Sequence, residues 1–522
     1  MRRVLLWLLL PLASCLVTTE PGIIYPRMLS SRSDTGEKVV KLNDDITLNL
    51  RKSTIFPEEF LVYTSADETP ARYLMKGEDA EANLYHDVKY MASLDVSDED
   101  GLEILGAMGP TLRIKPMPDM ERSADGQKAH MLYHDEEPEF LRDKFHDDIG
   151  DPRKFDNTTS ALERDELDSS EPDSLQGSSL VESRRLQQPH HTHTRLPLTI
   201  YPEVHIVADY LYCQAYNFDM KSIVTSIAIA GNAVNLRYRS LRFPRVQIRI
   251  VGVSITKTLK EEPYMVYVRG YEATRNILYE HTLWNFTVYT RQQDYFKTSD
   301  VVFLLTGRNL SEWKGSELVS WVGGYAYPAT ACTLWKVGMS EERPRSFHGI
   351  YTMAHELAHV LGCMHDGGAP RGWPAGIIGS EDCPWKDGYL MSYEFIIPYV
   401  YSFSSCCSRE IMNFYNRPNY TCLSIRNSKR KPIYSPKLPG YKIDYDMFCN
   451  KVYPGYRYIK AATHNHVPAN CLLTCYTSRD KTESKLAYVA DGMSCGGGNV
   501  CILGNCTTKP TIRRPEPDEQ AE

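Results

Sequence analysis

A mixed-sheet α/β fold, preceded by a propeptide region and followed by a small disulfide-rich module, is the architecture this sequence predicts. Three observations predict it. Between about residues 198 and 425, short apolar runs alternate with longer segments of helical period, the pattern of a sheet covered by helices. Thirteen of the 14 cysteines lie beyond residue 15, and six fall between Cys449 and Cys506. That density marks an oxidising compartment and a module stapled by bridges rather than by a large core. The 522 residues, 42% hydrophobic and 24% charged, have the composition of a folded chain of roughly three or four domains. A net charge of −7 leaves no basic footprint for nucleic acid.

The elements follow in chain order. Arg2 and Arg3 precede an apolar run over residues 4–10, which Pro11 breaks before Ala13, Ser14 and Cys15. This reads as a secretory signal peptide over residues 1–17. No later stretch reaches about 18 consecutive apolar residues, so no transmembrane segment is expected. Sequons begin at Asn157, Asn285, Asn309, Asn419 and Asn505, as suits a secreted glycoprotein. Residues 18–185 contain no cysteine, and their second half is rich in Asp, Glu and Ser. They read as a propeptide with an acidic linker, ending at the dibasic pair Arg184-Arg185, a candidate processing site.

Residues 186–425 form the main domain. Strands are predicted over 204–208, 246–255, 301–305 and 322–331, the last bent at Gly323-Gly324. Helices are predicted over 221–241, despite Gly231, and over 274–292. Residues 426–440 hold three prolines and a basic run and read as a linker. A cysteine-rich module over 441–510 and a disordered tail over 511–522 complete the chain.

One segment carries the chemistry. In Ala354-His355-Glu356-Leu357-Ala358-His359-Val360-Leu361-Gly362-Cys363-Met364-His365-Asp366, His355 and His359 are four apart and share one helix face. Two imidazoles can therefore meet one ion. Glu356 projects about 100° away around the helix and can reach a metal-bound water without ligating the metal. Gly362 can adopt the positive φ that ends the helix, which lets His365 return as a third nitrogen ligand and leaves a fourth position open. The five fixed positions match by chance in roughly one of several million windows.

This spacing is the metzincin signature. With Asp366 after the third histidine and Met391 in Gly388-Tyr389-Leu390-Met391-Ser392, residues 198–425 resemble the reprolysins (adamalysins), the metalloproteases of snake venoms and ADAM-type enzymes. The resemblance implies a metzincin-type catalytic domain in which Met391 forms a turn beneath zinc and Asp366 anchors the local structure. It also implies that residues 322–326 are an edge strand pairing with an extended substrate. The Cys332–Cys422 bridge is implied by the same likeness. Cys363 and Cys383 pair with Cys406 and Cys407 in an order that sequence does not set, and Cys213 is left as a buried thiol. Calcium, common in this family, has candidate ligands in Glu203 and Asp300. The third position falls on Ile425, which cannot coordinate, so the calcium site is expected to be incomplete.

Cys471, Cys475, Cys495, Cys501 and Cys506 stand in motifs that resemble the cysteine-rich module of ADAM proteases with thrombospondin repeats. The compact layout resembles metalloproteases of tick saliva. The function implied is a secreted, monomeric zinc endopeptidase acting on extracellular proteins, host matrix or clotting proteins among them. Zinc on His355, His359 and His365 would polarise the scissile carbonyl and acidify its water. Glu356 would take the water's proton and pass it to the departing amine. The contrasting expectation is a catalytically silent protein that binds through the cysteine-rich module. An intact Glu356 argues against it, since a decoy needs no general base. The propeptide has no cysteine to place on zinc, so for a latent precursor steric blocking of the cleft is the simpler expectation.

Overall fold

The computed structural model describes residues 22–31, 36–66, 69–135, 150–155, 199–241, 244–270, 275–428, 444–453, 456–463, 465–489, 492–502 and 505–509. The signal peptide, the acidic linker, Arg184-Arg185, most of the 426–440 linker and the tail lie outside them. No described helix is long and apolar enough to cross a membrane.

A seven-stranded mixed sheet organises the main domain. Its order is Gly324–Ala326, Val337–Glu341, Val301–Thr306, Glu203–Ala208, Arg249–Ile255, Glu59–Ala66 and Thr69–Lys76. The five central strands are parallel, and each edge strand is antiparallel to its neighbour. Glu203–Ala208 and Val301–Thr306 are buried throughout, which is why they read as continuous apolar runs. On one face pack the helices Met220–Tyr238 and Ile350–Leu361, with Ile223, Ile227, Ile250, Phe303 and Leu357 in their shared core. On the other lies the helix Tyr279–Gln292, with Leu283, Phe286, Leu304 and Met339. A Cβ at Gly231 would meet Ile250 Cδ1 at 2.8 Å. The glycine inside the first helix thus serves close helix–sheet packing.

Several boundaries differ from expectation. The segment 274–292 first makes a strand, Asn276–Leu278, parallel to Asn309–Lys314, and turns helical at Tyr279. The strand expected over 246–255 divides into Arg245–Val246 and Arg249–Ile255. The strand expected over 322–331 is only Gly324–Ala326, because Val322 ends the preceding strand Glu317–Val322. Pro328 and the positive φ of Ala329 and Cys332 then turn the chain away. The hairpin of Asn309–Lys314 with Glu317–Val322, and the strand Val337–Glu341, were not anticipated.

The described part of the cysteine-free N-terminal region is folded. Nine strands between Gly22–Ile24 and His130–His134 make an antiparallel sheet with its own core, including Val40, Leu48, Leu94, Ile104 and Ile114. The hairpin of Glu59–Ala66 and Thr69–Lys76 leaves that sheet to extend the main one. In the C-terminal module, the helix Tyr445–Val452 and two three-stranded sheets are joined by Cys449–Cys475, Cys471–Cys501 and Cys495–Cys506. Leu29 and Val39 of the N-terminal sheet pack into the same apolar cluster.

Candidate metal centre

The site is built on the helix Ile350–Leu361, whose residues are all buried. Its start is capped from outside: the Glu342 carboxylate accepts the N–H groups of His348 (3.0 Å) and Gly349 (2.9 Å), satisfying donors that a helix leaves unpaired. Burial pushes the Glu342 carboxyl up to about 8, against the lowering effect of those N–H groups and Arg113. The helix ends at Gly362, with φ of 119°. A Cβ there would meet Phe414 Cδ2 at 2.7 Å, so both backbone and packing favour glycine. Cys363, the next residue, is bridged to Cys407, and Cys383 to Cys406. That resolves the order left open by the sequence. Cys332–Cys422 is present as the resemblance implied, and Cys213 is a buried free thiol.

The structure brings His355, His359 and His365 together. Their Nε2 atoms form a triangle with sides of 3.1, 3.1 and 3.2 Å. A tetrahedral zinc ion about 2.0–2.1 Å from each nitrogen would hold them about 3.3–3.4 Å apart, so the three residues fit that ion. The opposite nitrogens fix the tautomers. His355 Nδ1 donates to Leu390 O (2.8 Å) and His359 Nδ1 to Cys363 O (2.7 Å), leaving both Nε2 lone pairs directed at the centre. Three convergent imidazoles suit zinc among the common divalent ions.

Met391 lies fully buried in a turn pinned from several sides. The Tyr351 hydroxyl reaches Leu390 O (2.7 Å) and Ser392 O (2.6 Å), and Asp366 N donates to Met391 O (3.0 Å). The Asp366 carboxylate accepts the Ser404 hydroxyl. Burial raises its pKa to about 6, with the Ser404 bond and His365 opposing. Glu356 is fully buried under the edge strand: a Cβ on Gly324 would fall 2.5 Å from its Cγ and Oε1. The general-base candidate and the strand expected to bind substrate are therefore in van der Waals contact.

Tyr393 was missed by sequence reasoning. Its hydroxyl lies 3.2 Å from His365 Nε2, and its ring packs against His355, His365 and Trp385 at centroid distances of 5.6, 5.3 and 5.1 Å. The available signal was its place two residues after Met391. The candidate calcium residues, by contrast, are engaged by protein groups. Glu203 accepts the N–H groups of Asn427 (3.3 Å) and Ser428 (2.8 Å) as well as the Ser428 hydroxyl, and Asp300 accepts Glu203 N (2.9 Å). Ile425 is exposed and aliphatic.

Residues of the N-terminal region contact the edge strand and its neighbours. Gly150 N donates to Ala326 O (2.8 Å) on the edge strand. Lys154 pairs with Glu280 (3.2 Å), Phe155 packs on His281 and Trp284, and Arg153 lies over Trp373.

Residues 202–404 match the reprolysin model described as metallo-peptidase family M12. A protein of Bombyx mori, "A disintegrin and metalloproteinase with thrombospondin motifs like", is 28% identical over 60% of this chain and 45% of its own length. The venom metalloproteinase BumaMPs1 of Olivierus martensii is 26% identical over 82% of this chain and 98% of its own. The venom metalloproteinase antarease TserMP_A of Tityus serrulatus is 23% identical over 80% and 96%. The chain thus spans less than half of the silkworm protein and nearly all of the two scorpion proteins. Together with the histidine geometry, these matches identify residues 202–404 as a metallopeptidase domain of family M12, a metzincin of the reprolysin type.

Proposed function

We propose that the chain is a secreted zinc endopeptidase, made as a precursor that residues 18–185 keep silent until cleavage near Arg184-Arg185. The observation that carries this reading is the triangle of His355, His359 and His365 nitrogens beside the buried carboxylate of Glu356. The zinc, when bound, supplies a Lewis acid that polarises the scissile carbonyl and acidifies water. The chain's own groups do the rest. The backbone of Gly324–Ala326 binds an extended peptide by main-chain hydrogen bonds, which confer affinity with little sequence preference. Glu356 takes a proton from the attacking water and returns it to the departing amine. Met391 and Asp366 hold the loop that orients His355 and His365.

Extracellular proteins are the substrate class, with host matrix or haemostatic proteins the specific expectation. The scorpion relatives, named as venom metalloproteinases, support it. Latency needs no thiol here. The contacts of Gly150, Arg153, Lys154 and Phe155 occupy the free side of the edge strand and its rim, which supports steric exclusion of substrate.

The test compares cleavage of a denatured protein by the full chain before and after proteolytic activation, beside Glu356→Ala. The expected result is low activity in the precursor, high chelator-sensitive activity after activation, and loss of at least about 10³-fold in the mutant. Equal activity before and after processing would remove the latency claim. Equal activity in wild type and mutant would remove Glu356 from the mechanism.

A further inference from the structure

We propose that cleavage near Arg184-Arg185 does not release the N-terminal sheet region: residues 22–135 stay on the protease as a second, noncovalent chain of the mature enzyme. This rests on the processing reading above and extends it to the fate of the severed region. Three observations carry it.

The first is shared secondary structure. The strand Glu59–Ala66 pairs in parallel with Arg249–Ile255 through Leu61, Val62 and Tyr63. Ile250 N also donates to Ile55 O (2.9 Å). Taking the hairpin away would open an edge of the main sheet along Arg249–Ile255, and open edges invite foreign strands.

The second is a shared core. Ile55, Phe56, Phe60, Val62, Leu84 and Ala107 belong to the same apolar cluster as Ile227, Ile250 and Leu357 of the protease domain. Each of the six is at most 3% exposed. The helix Met220–Tyr238 shows why they are needed. Its residues from Ser226 to Tyr238 are all buried, and a helix without a solvent face requires cover on every side. Ser93 supplies part of that cover. Its buried hydroxyl donates to Ile229 O (2.8 Å) and accepts from Asn232 Nδ2 (2.8 Å). Departure of the region would put the apolar surface of this helix into water, at a cost that grows with the area exposed.

The third is a grip on the C-terminal module. Leu29 and Val39 share a cluster with Phe448 and Val452. Lys41 Nζ donates to Val452 O (2.7 Å) and lies 4.5 Å from the centre of the Tyr453 ring. A cation is favoured there because Val452 closes the helix Tyr445–Val452, whose carboxyl end is negative. The N-terminal region is thus held by two parts of the mature chain at once, and simultaneous attachments multiply in strength.

The blocking segment is held differently. Residues 150–155 touch the edge strand and its rim through Gly150 N and the side chains of Arg153, Lys154 and Phe155. The Lys154 side chain is 60% exposed, and surface ion pairs of that kind contribute little. Gripping and blocking therefore reside in different residues, so the block can lift while the grip holds.

The test cuts the full chain at Arg184-Arg185 by limited proteolysis, verified by N-terminal sequencing, and passes it over a sizing column in native buffer. The expected result is one peak holding both fragments in equal amounts, separated only by denaturant. An N-terminal fragment that elutes alone, beside a folded protease fragment, overturns the proposal. With the cut chain immobilised by its C-terminus, loss of the N-terminal fragment gives a dissociation rate. Ser93→Ala strips both bonds to the helix and is expected to raise that rate about tenfold. An equal rate in the two proteins means that the fragments adhere by another surface, which also overturns the proposal. Peptide cleavage by cut and uncut chain is read in parallel. Equal activity there removes the latency reading and leaves the retained chain standing.

Discussion

A Cβ at Gly324 would fall 2.5 Å from Cγ and Oε1 of Glu356 and 2.5 Å from Thr352 Cγ2. The edge strand therefore approaches the catalytic helix so closely that a single methyl group must push Glu356 aside. Gly324→Ala is expected to reduce kcat/KM on the order of 100-fold while zinc content stays at wild-type level, because the histidines are untouched and misplacing a base by about 1 Å has that cost. Unchanged turnover would show that Glu356 has room to move or is not the base. His355, Glu356, His359, Gly362 and His365 were legible because one helix and one turn carry all five, so spacing alone encodes their geometry. Tyr393 was not. Among 34 tyrosines, one in an aromatic-rich loop has no distinguishing period, and only the folded turn shows where its hydroxyl goes.

At the scale of elements, the carboxyl ends of the parallel strands Glu203–Ala208 and Val301–Thr306 are joined by a buried ion cluster. Arg308 pairs with Asp209 (2.5 Å) and with Glu262, all three fully buried as side chains. Burial and the neighbouring Asp209 push Glu262 up to about 7, with Arg308 pulling it down. Arg308→Met would strand two carboxyl groups and is expected to destabilise the fold by about 3–5 kcal/mol, read as a lower denaturant midpoint. At the opposite ends of these strands, burial lifts Asp300 to about 8, and the charge of Glu203 adds to the effect. A carboxyl whose folded pKa is raised opposes folding once ionised. Its contribution to stability therefore falls as pH rises from about 4 through about 8. Asp300→Asn is expected to flatten the melting temperature across that window, and calcium is expected to leave both proteins' melting temperatures unchanged. A calcium-dependent rise in wild type alone would establish the metal site that Ile425 argues against. The strand cores were legible as apolar runs. The start of the helix at Tyr279 was not, because Asn276–Leu278 is recruited by a distant strand that local pattern does not reveal.

For the whole molecule, the N-terminal region touches the main domain on several fronts. Its hairpin extends one edge of the sheet, Gly150 bonds the other edge, and Arg113 reaches Ser346 O (2.7 Å) and Phe347 O (3.1 Å) just ahead of the catalytic helix. Asp135 pairs with His348 (3.1 Å) in the same stretch. Gly150→Pro removes the N–H that binds Ala326 O, and the unprocessed mutant is expected to cleave a peptide substrate several-fold faster than the unprocessed wild type. Equal rates would place the block elsewhere. The sequence showed a cysteine-free polar region with no sign of this arrangement, because pairing between strands some 190 residues apart leaves no local trace. The most direct test of the central claim is zinc titration of the activated, chelator-stripped chain with proteolysis as the readout. Activity should return linearly and saturate at one zinc per chain, with His359→Ala recovering none. Full recovery in His359→Ala, or no recovery in wild type at any zinc concentration, would contradict it.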